Sequence, residues 1–107
     1  MKFDHLYIRD VEGERRIDAE SLPLRVGTGS NCEIRLPGPG GAPVALLDLL
    51  DGAPFVQPVG REASLQINGE PLRSSRRLGH NDELQFFGSR IRVAAIDDRL
   101  KLVVRLE

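Results

Sequence analysis

The sequence predicts an all-β fold of antiparallel strands, and three observations predict it. Short apolar stretches recur at a spacing of roughly 8–12 residues, the signature of a sandwich or barrel. Most of them alternate with polar residues at period two, so each strand has one wet and one buried face. Turn-forming residues separate them, at Glu12-Gly13, Gly27 to Asn31, Pro37 to Pro43, Asp51-Gly52, Asn68-Gly69, Gly79 to Asp82 and Gly88.

Taken in order, Glu14 to Glu20 fits a strand or a loop. Leu22, Leu24 and Val26 then alternate with Ser21, Pro23 and Arg25. Cys32, Ile34 and Leu36 alternate with Glu33 and Arg35, and a lone Cys32 in that pattern reads as a small core residue. Ala42 to Leu50 contains good helix formers, but Pro43 and the Asp51-Gly52 turn leave it too short, so it is assigned as a strand apolar on both faces. Leu65-Gln66-Ile67 runs into Asn68-Gly69, a type I′ hairpin signal. Ile91, Val93 and Ala95 face away from Arg90 and Arg92. Leu100, Leu102, Val104 and Leu106 alternate with Arg99, Lys101 and Arg105.

A chain of 107 residues fits one domain, 1–107, with a thin but real core; it ends inside a strand-like pattern, which fits a piece of a longer protein. Fifteen Lys and Arg against sixteen Asp and Glu leave a net charge of −1, so there is no general pull toward nucleic acid or anionic lipid. One cysteine excludes an internal disulfide. Charges interrupt every apolar run near the N-terminus, and no stretch approaches the ~20 apolar residues of a membrane span, so a cytoplasmic domain without membrane insertion is expected, alone or as part of a membrane-associated assembly. His5, His80 and Cys32 have no metal-ligand spacing, and Asp48, Asp51, Asp97 and Asp98 fall at or near turns rather than in catalytic pairs. GTGSN, residues 27–31, loosely resembles a phosphate-cradling loop but lacks the Gly-Lys-Ser/Thr and helix that should follow. No enzyme, cofactor or metal is expected.

Three segments together resemble the forkhead-associated (FHA) family. LRVGTGSNCEIRLPGPG, residues 24–40, is similar to the family's hydrophobic-x-hydrophobic-G-R-S stretch with its following D/E-I-x-L. DGAPFVQPVGREASLQINGEPL, residues 51–72, resembles its D-G-x-aromatic stretch and the later N-G-x-x-L. RRLGHNDELQFFGSRIRV, residues 76–93, resembles the closing L-x-x-G-D hairpin. FDHLYIRD sits where the family's first strand falls. The resemblance implies a sandwich of about eleven strands, of the FHA/SMAD kind, with binding loops at one end.

The family reads phosphothreonine with loop residues, and the resemblance implies that they are replaced here. A phosphate calls for a bidentate, charge-assisted arginine. That arginine falls on Thr28, followed by Gly29. By ungapped spacing after Pro37, the family's serine and histidine fall on Ala42 and Ala45, and its threonine-asparagine pair on Glu62 and Ala63. Losing a desolvated arginine–phosphate contact costs on the order of 2–5 kcal/mol, and Glu62 adds like-charge repulsion. A protein-interaction module with a degenerate site is therefore expected, its partner another protein. Degenerate members of the family serve in bacterial secretion-system rings and other membrane-associated assemblies, which makes an assembly or regulatory role the expectation.

Two alternatives stay open. A substitute arginine, Arg61 or Arg25, would restore a phosphopeptide reader. Arg73, Arg76 and Arg77 in LRSSRR would grip nucleic acid, although no aromatic residue interleaves them. A partner surface is expected around Val44, Leu46, Leu47, Leu49 and Leu50, with Arg61 at the loop end, because a sandwich strand buries only one of its two faces.

Overall fold

Twelve strands and a single 3-10 turn (Ala19–Ser21) make up the regular structure of residues 2–60 and 65–106, the residues described by the computed structural model. The strands are β1 (His5–Asp10), β2 (Gly13–Asp18), β3 (Leu24–Gly27), β4 (Ile34–Arg35), β5 (Pro43–Leu50), β6 (Ala53–Pro58), β7 (Leu65–Ile67), β8 (Glu70–Pro71), β9 (Arg76–Arg77), β10 (Glu83–Phe86), β11 (Ser89–Ile96) and β12 (Arg99–Arg105). They form a seven-stranded sheet in the order β2-β1-β12-β11-β10-β7-β8 and a five-stranded sheet in the order β4-β3-β5-β6-β9.

The core follows from the alternation. Leu6 and Ile8, Leu84 and Phe86, Ile91 and Val93, and Leu100 and Leu102 point inward from the larger sheet. Leu24, Val26, Ala45, Leu47 and Val56 point inward from the smaller one, and all join one cluster. Cys32 is buried, as its spacing predicted. Two hairpins follow their turn dipeptides: Asp51 and Gly52 both have positive φ, as do Asn68 and Gly69, the backbone a type I′ turn requires.

Two expectations are corrected. The sheets are mixed and not purely antiparallel: β1 pairs with β12 in parallel, and β3 with β4. Period-two patterning encodes which face is buried but not the direction of the neighbouring strand. The β3–β4 pairing is possible after a short connection because β4 has only two residues, so the chain backtracks a short distance. Leu106, expected to be buried with Val104, is 41% exposed, because the pairing of β12 with β11 stops at Arg105.

The topology sorts the connections to two ends. One end gathers the β1–β2 turn, the β3–β4 and β4–β5 loops, the β10–β11 turn and the end of β12. This is the loop end.

Candidate functional site

At the loop end, the β4–β5 segment lies directly on the end of β3. The Leu36 amide donates to the Gly27 carbonyl at 2.7 Å. Thr28 is almost fully buried, and its hydroxyl ties the two loops together: Oγ1 accepts the Gly41 N–H at 2.6 Å and donates to the Pro39 carbonyl at 3.3 Å. Gly27 and Gly29 permit this approach. A Cβ on Gly27 would run into the Ala42 carbonyl oxygen, and one on Gly29 would stand 2.5 Å from the Gly41 carbonyl oxygen. The resemblance places a phosphate-binding arginine at position 28, but the side chain there is committed to holding the loop closed.

The other positions fall as follows. Ala42 is exposed just before β5. Ala45 is fully buried within β5, paired with Val26 and Pro58, and is not a loop position. The ungapped count from Pro37 ran past the loop, since the strand already begins at Pro43. Glu62, Ala63 and Arg61 lie outside the described residues.

Arg25, one of the two substitute arginines, has a partner. Its Nε and Nη2 donate to Glu33 Oε1 and Oε2 at 3.2 and 2.6 Å, and its backbone N–H donates to Oε1 at 2.7 Å. β4 is too short to pair Arg25, so the Glu33 carboxylate takes the place of a strand neighbour. The Arg25 hydrogen bonds hold the Glu33 carboxyl down at about 2. Arg15 also reaches this loop, donating from Nη2 to the Glu33 carbonyl at 2.8 Å. A small cleft of about 170 Å³ opens beside it, lined by Val11, Arg15, Glu33, Arg35 and Leu106 among others.

The apolar surface expected on β5 divides by parity. Leu47 is 2% exposed in the core and is no part of a surface; Leu49 packs partly against the core. Val44, at the register shift in the β3–β5 pairing, also packs partly against the core; Leu46 is half-buried on the outward side, and Leu50 is 61% exposed. Pairing with β6 sets Phe55 beside Asp48 and Gln57 beside Leu46, so polar side chains break the stripe. In the basic cluster, Arg73, Arg76 and Arg77 are exposed, and Arg76 and Arg77 form the two-residue edge strand β9.

Among the described residues, no group of three or more His, Cys, Asp or Glu is placed to hold a metal ion, and no helix is long and apolar enough to cross a membrane. Compared with known families and with curated proteins, the chain matches no family model and no curated sequence.

Sequence reasoning missed one feature. The outward residues of β1, β12 and β11 come together only through the observed register: Arg9 stands beside Val103, which stands beside Arg92, and Arg105 is directly opposite Arg90. From the sequence, Arg90 and Arg92 read as wet positions of one strand and Arg105 of another, and Arg9 carried no assignment of face. The alternation carried the signal, but the neighbour relation did not.

Proposed function

We propose that this chain is a non-enzymatic protein-interaction domain of FHA-like architecture whose loop end does not read phosphothreonine, serving assembly or regulation. The observation that carries the reading is Thr28. At the position that resemblance assigns to the phosphate-gripping arginine, a buried hydroxyl spends its one donor on the Pro39 carbonyl and accepts the Gly41 N–H, both in the β4–β5 loop. The engagement of Arg25 by Glu33 supports the same reading, since phosphate would have to displace a bidentate carboxylate that also caps a backbone amide.

The test is an NMR titration with matched phosphothreonine and unphosphorylated peptide libraries. The expected result is no phosphate-dependent shift at residues 27–31, even at millimolar peptide. Shifts there or at residues 61–63 that appear only with the phosphorylated peptides would overturn the reading and establish a working phosphopeptide reader.

A further inference from the structure

The outward face of the larger sheet is electrostatically one-sided. On the three adjacent strands β1, β12 and β11, the outward positions carry Arg9, Arg90, Arg92, Arg99, Lys101 and Arg105 and no carboxylate. This concentration occurs in a chain whose net charge is −1. Carboxylates border the band instead. Glu14 and Asp18 stand on β2 along one side and Glu83 on β10 along the other, with the Asp97-Asp98 turn at one end.

Some of these cations are already engaged. Lys101 Nζ pairs with Glu14 at 2.7 Å, Arg90 lies 3.6 Å from Glu83, and Arg99 stacks over the Tyr7 ring at 4.8 Å. Arg9, Arg92 and Arg105 make no ion pair within the described residues, and all three are exposed. Arg90 and Arg105 are directly opposite each other across a strand pair, a like-charge arrangement that by itself costs stability.

The shape of the band selects among anions. Across its width, Arg9 and Arg92 are two strand spacings apart, about 10 Å, and β12 runs about 20 Å along it. A nucleic-acid duplex or a flat bilayer is wider than this and would meet the bordering carboxylates. A single-stranded nucleic acid fits the width but gains its affinity from aromatic faces on which bases stack. Tyr7 is the band's phenol ring, and Arg99 and the edge-on His5 ring, at a centroid distance of 5.4 Å, already occupy it. An extended polypeptide needs only cations at strand spacing and apolar ground between them. Val103 and Ala94, both half-buried, lie between the charges.

We infer that the β1–β12–β11 face is a docking surface for an acidic, extended polypeptide segment of a partner protein, held by Arg9, Arg92 and Arg105. The inference rests on the reading of the domain as a protein-interaction module and names the chemistry of its partner.

The experiment is fluorescence anisotropy with a labelled ten-residue peptide alternating Glu and Val, alongside an oligothymidylate of equal charge and phosphatidylserine vesicles. The peptide is expected to bind most tightly, to weaken as sodium chloride rises from 50 to 300 mM, and to lose at least tenfold in affinity in the double variant R9E/R92E. The variant R76E/R77E, which reverses two charges on the other sheet, should leave affinity unchanged. A milder R9Q/R92Q pair, with its fold checked by amide dispersion in NMR spectra, gives the same comparison if charge reversal unfolds the domain. Absence of peptide binding at millimolar concentration, tighter binding of the oligonucleotide or vesicles, or equal losses in the β9 variant would overturn the inference. Failure of the proposed loop-end reading shows separately, as phosphate-dependent shifts at residues 27–31, which this experiment does not depend on.

Discussion

Replacing Glu33 with glutamine tests how the loop end is held. The carboxylate accepts three hydrogen bonds from Arg25, at 2.6, 2.7 and 3.2 Å, and so joins β3 to the loop leading into β4. Its folded-state value of about 2 against an ordinary 4.5 corresponds, at about 1.4 kcal/mol per tenfold, to a ceiling of about 3.5 kcal/mol. The pair is partly solvated, with 32% of the Glu33 side chain and 44% of the Arg25 side chain exposed, so screening reduces this to about 1–1.5 kcal/mol. Glutamine retains one acceptor oxygen, and the guanidinium left behind can be hydrated. The sign follows from linkage. The folded value is depressed, so the stabilisation is complete above about 4.5 and is lost as pH falls from there toward 2. Urea denaturation of wild type and E33Q at pH 7 should therefore differ by about 1–1.5 kcal/mol, and the gap should narrow steadily below pH 4.5. A gap under about 0.3 kcal/mol at pH 7, or one that is the same at pH 7 and pH 2.5, would refute the carboxylate's role as the strap.

Thr28→Val keeps the shape and removes the hydroxyl, leaving the Gly41 N–H without its acceptor. The expected loss is about 1–3 kcal/mol in denaturant, with faster hydrogen exchange at Gly41; unchanged exchange there would mean that the hydroxyl does not hold the loop. On β5, Leu47→Ala should cost about 2–5 kcal/mol, as a core truncation does. Leu50→Ser, at a 61% exposed position three residues past the last fully buried leucine of the strand, should change stability by less than about 0.5 kcal/mol. Thermal melts of both variants check the pair.

Much of the fold was legible because local chemistry determined it. Leu24 and Val26 enter the core and Arg25 leaves it, as alternation requires, and the Asp51-Gly52 and Asn68-Gly69 turns take the positive φ values their residues favour. β2 was not legible. Its sequence GERRID has only Ile17 partly inward, and an edge strand paired on one side needs no apolar stripe. The candidate site was legible in part. Thr28 follows β3 in a loop, as the turn signal at Gly27 to Asn31 predicts, but its bonds to residues 39 and 41 depend on a loop closure that no spacing rule describes. Arg25 and Glu33 are eight residues apart and looked like independent exposed charges. They meet because the chain doubles back to lay β4 beside β3.

The same dependence on long-range pairing decides how the charge is distributed over the surface. A total of −1 implies indifference to anions only if charge is evenly spread. Six of the fifteen cations share the outward face of three neighbouring strands, which leaves nine to face all sixteen carboxylates over the rest of the molecule. The parallel pairing of β1 with β12 is decisive here, because it sets Arg9 one strand away from Val103 and two away from Arg92, although they are more than eighty residues apart in sequence. Without that pairing Arg9 would be an isolated charge near a turn. With it, the positive field of the band points out of one sheet while the loop end, where the resemblance directs attention, is occupied by its own internal bonds. An acidic segment approaching that face would be oriented by the field before any contact forms.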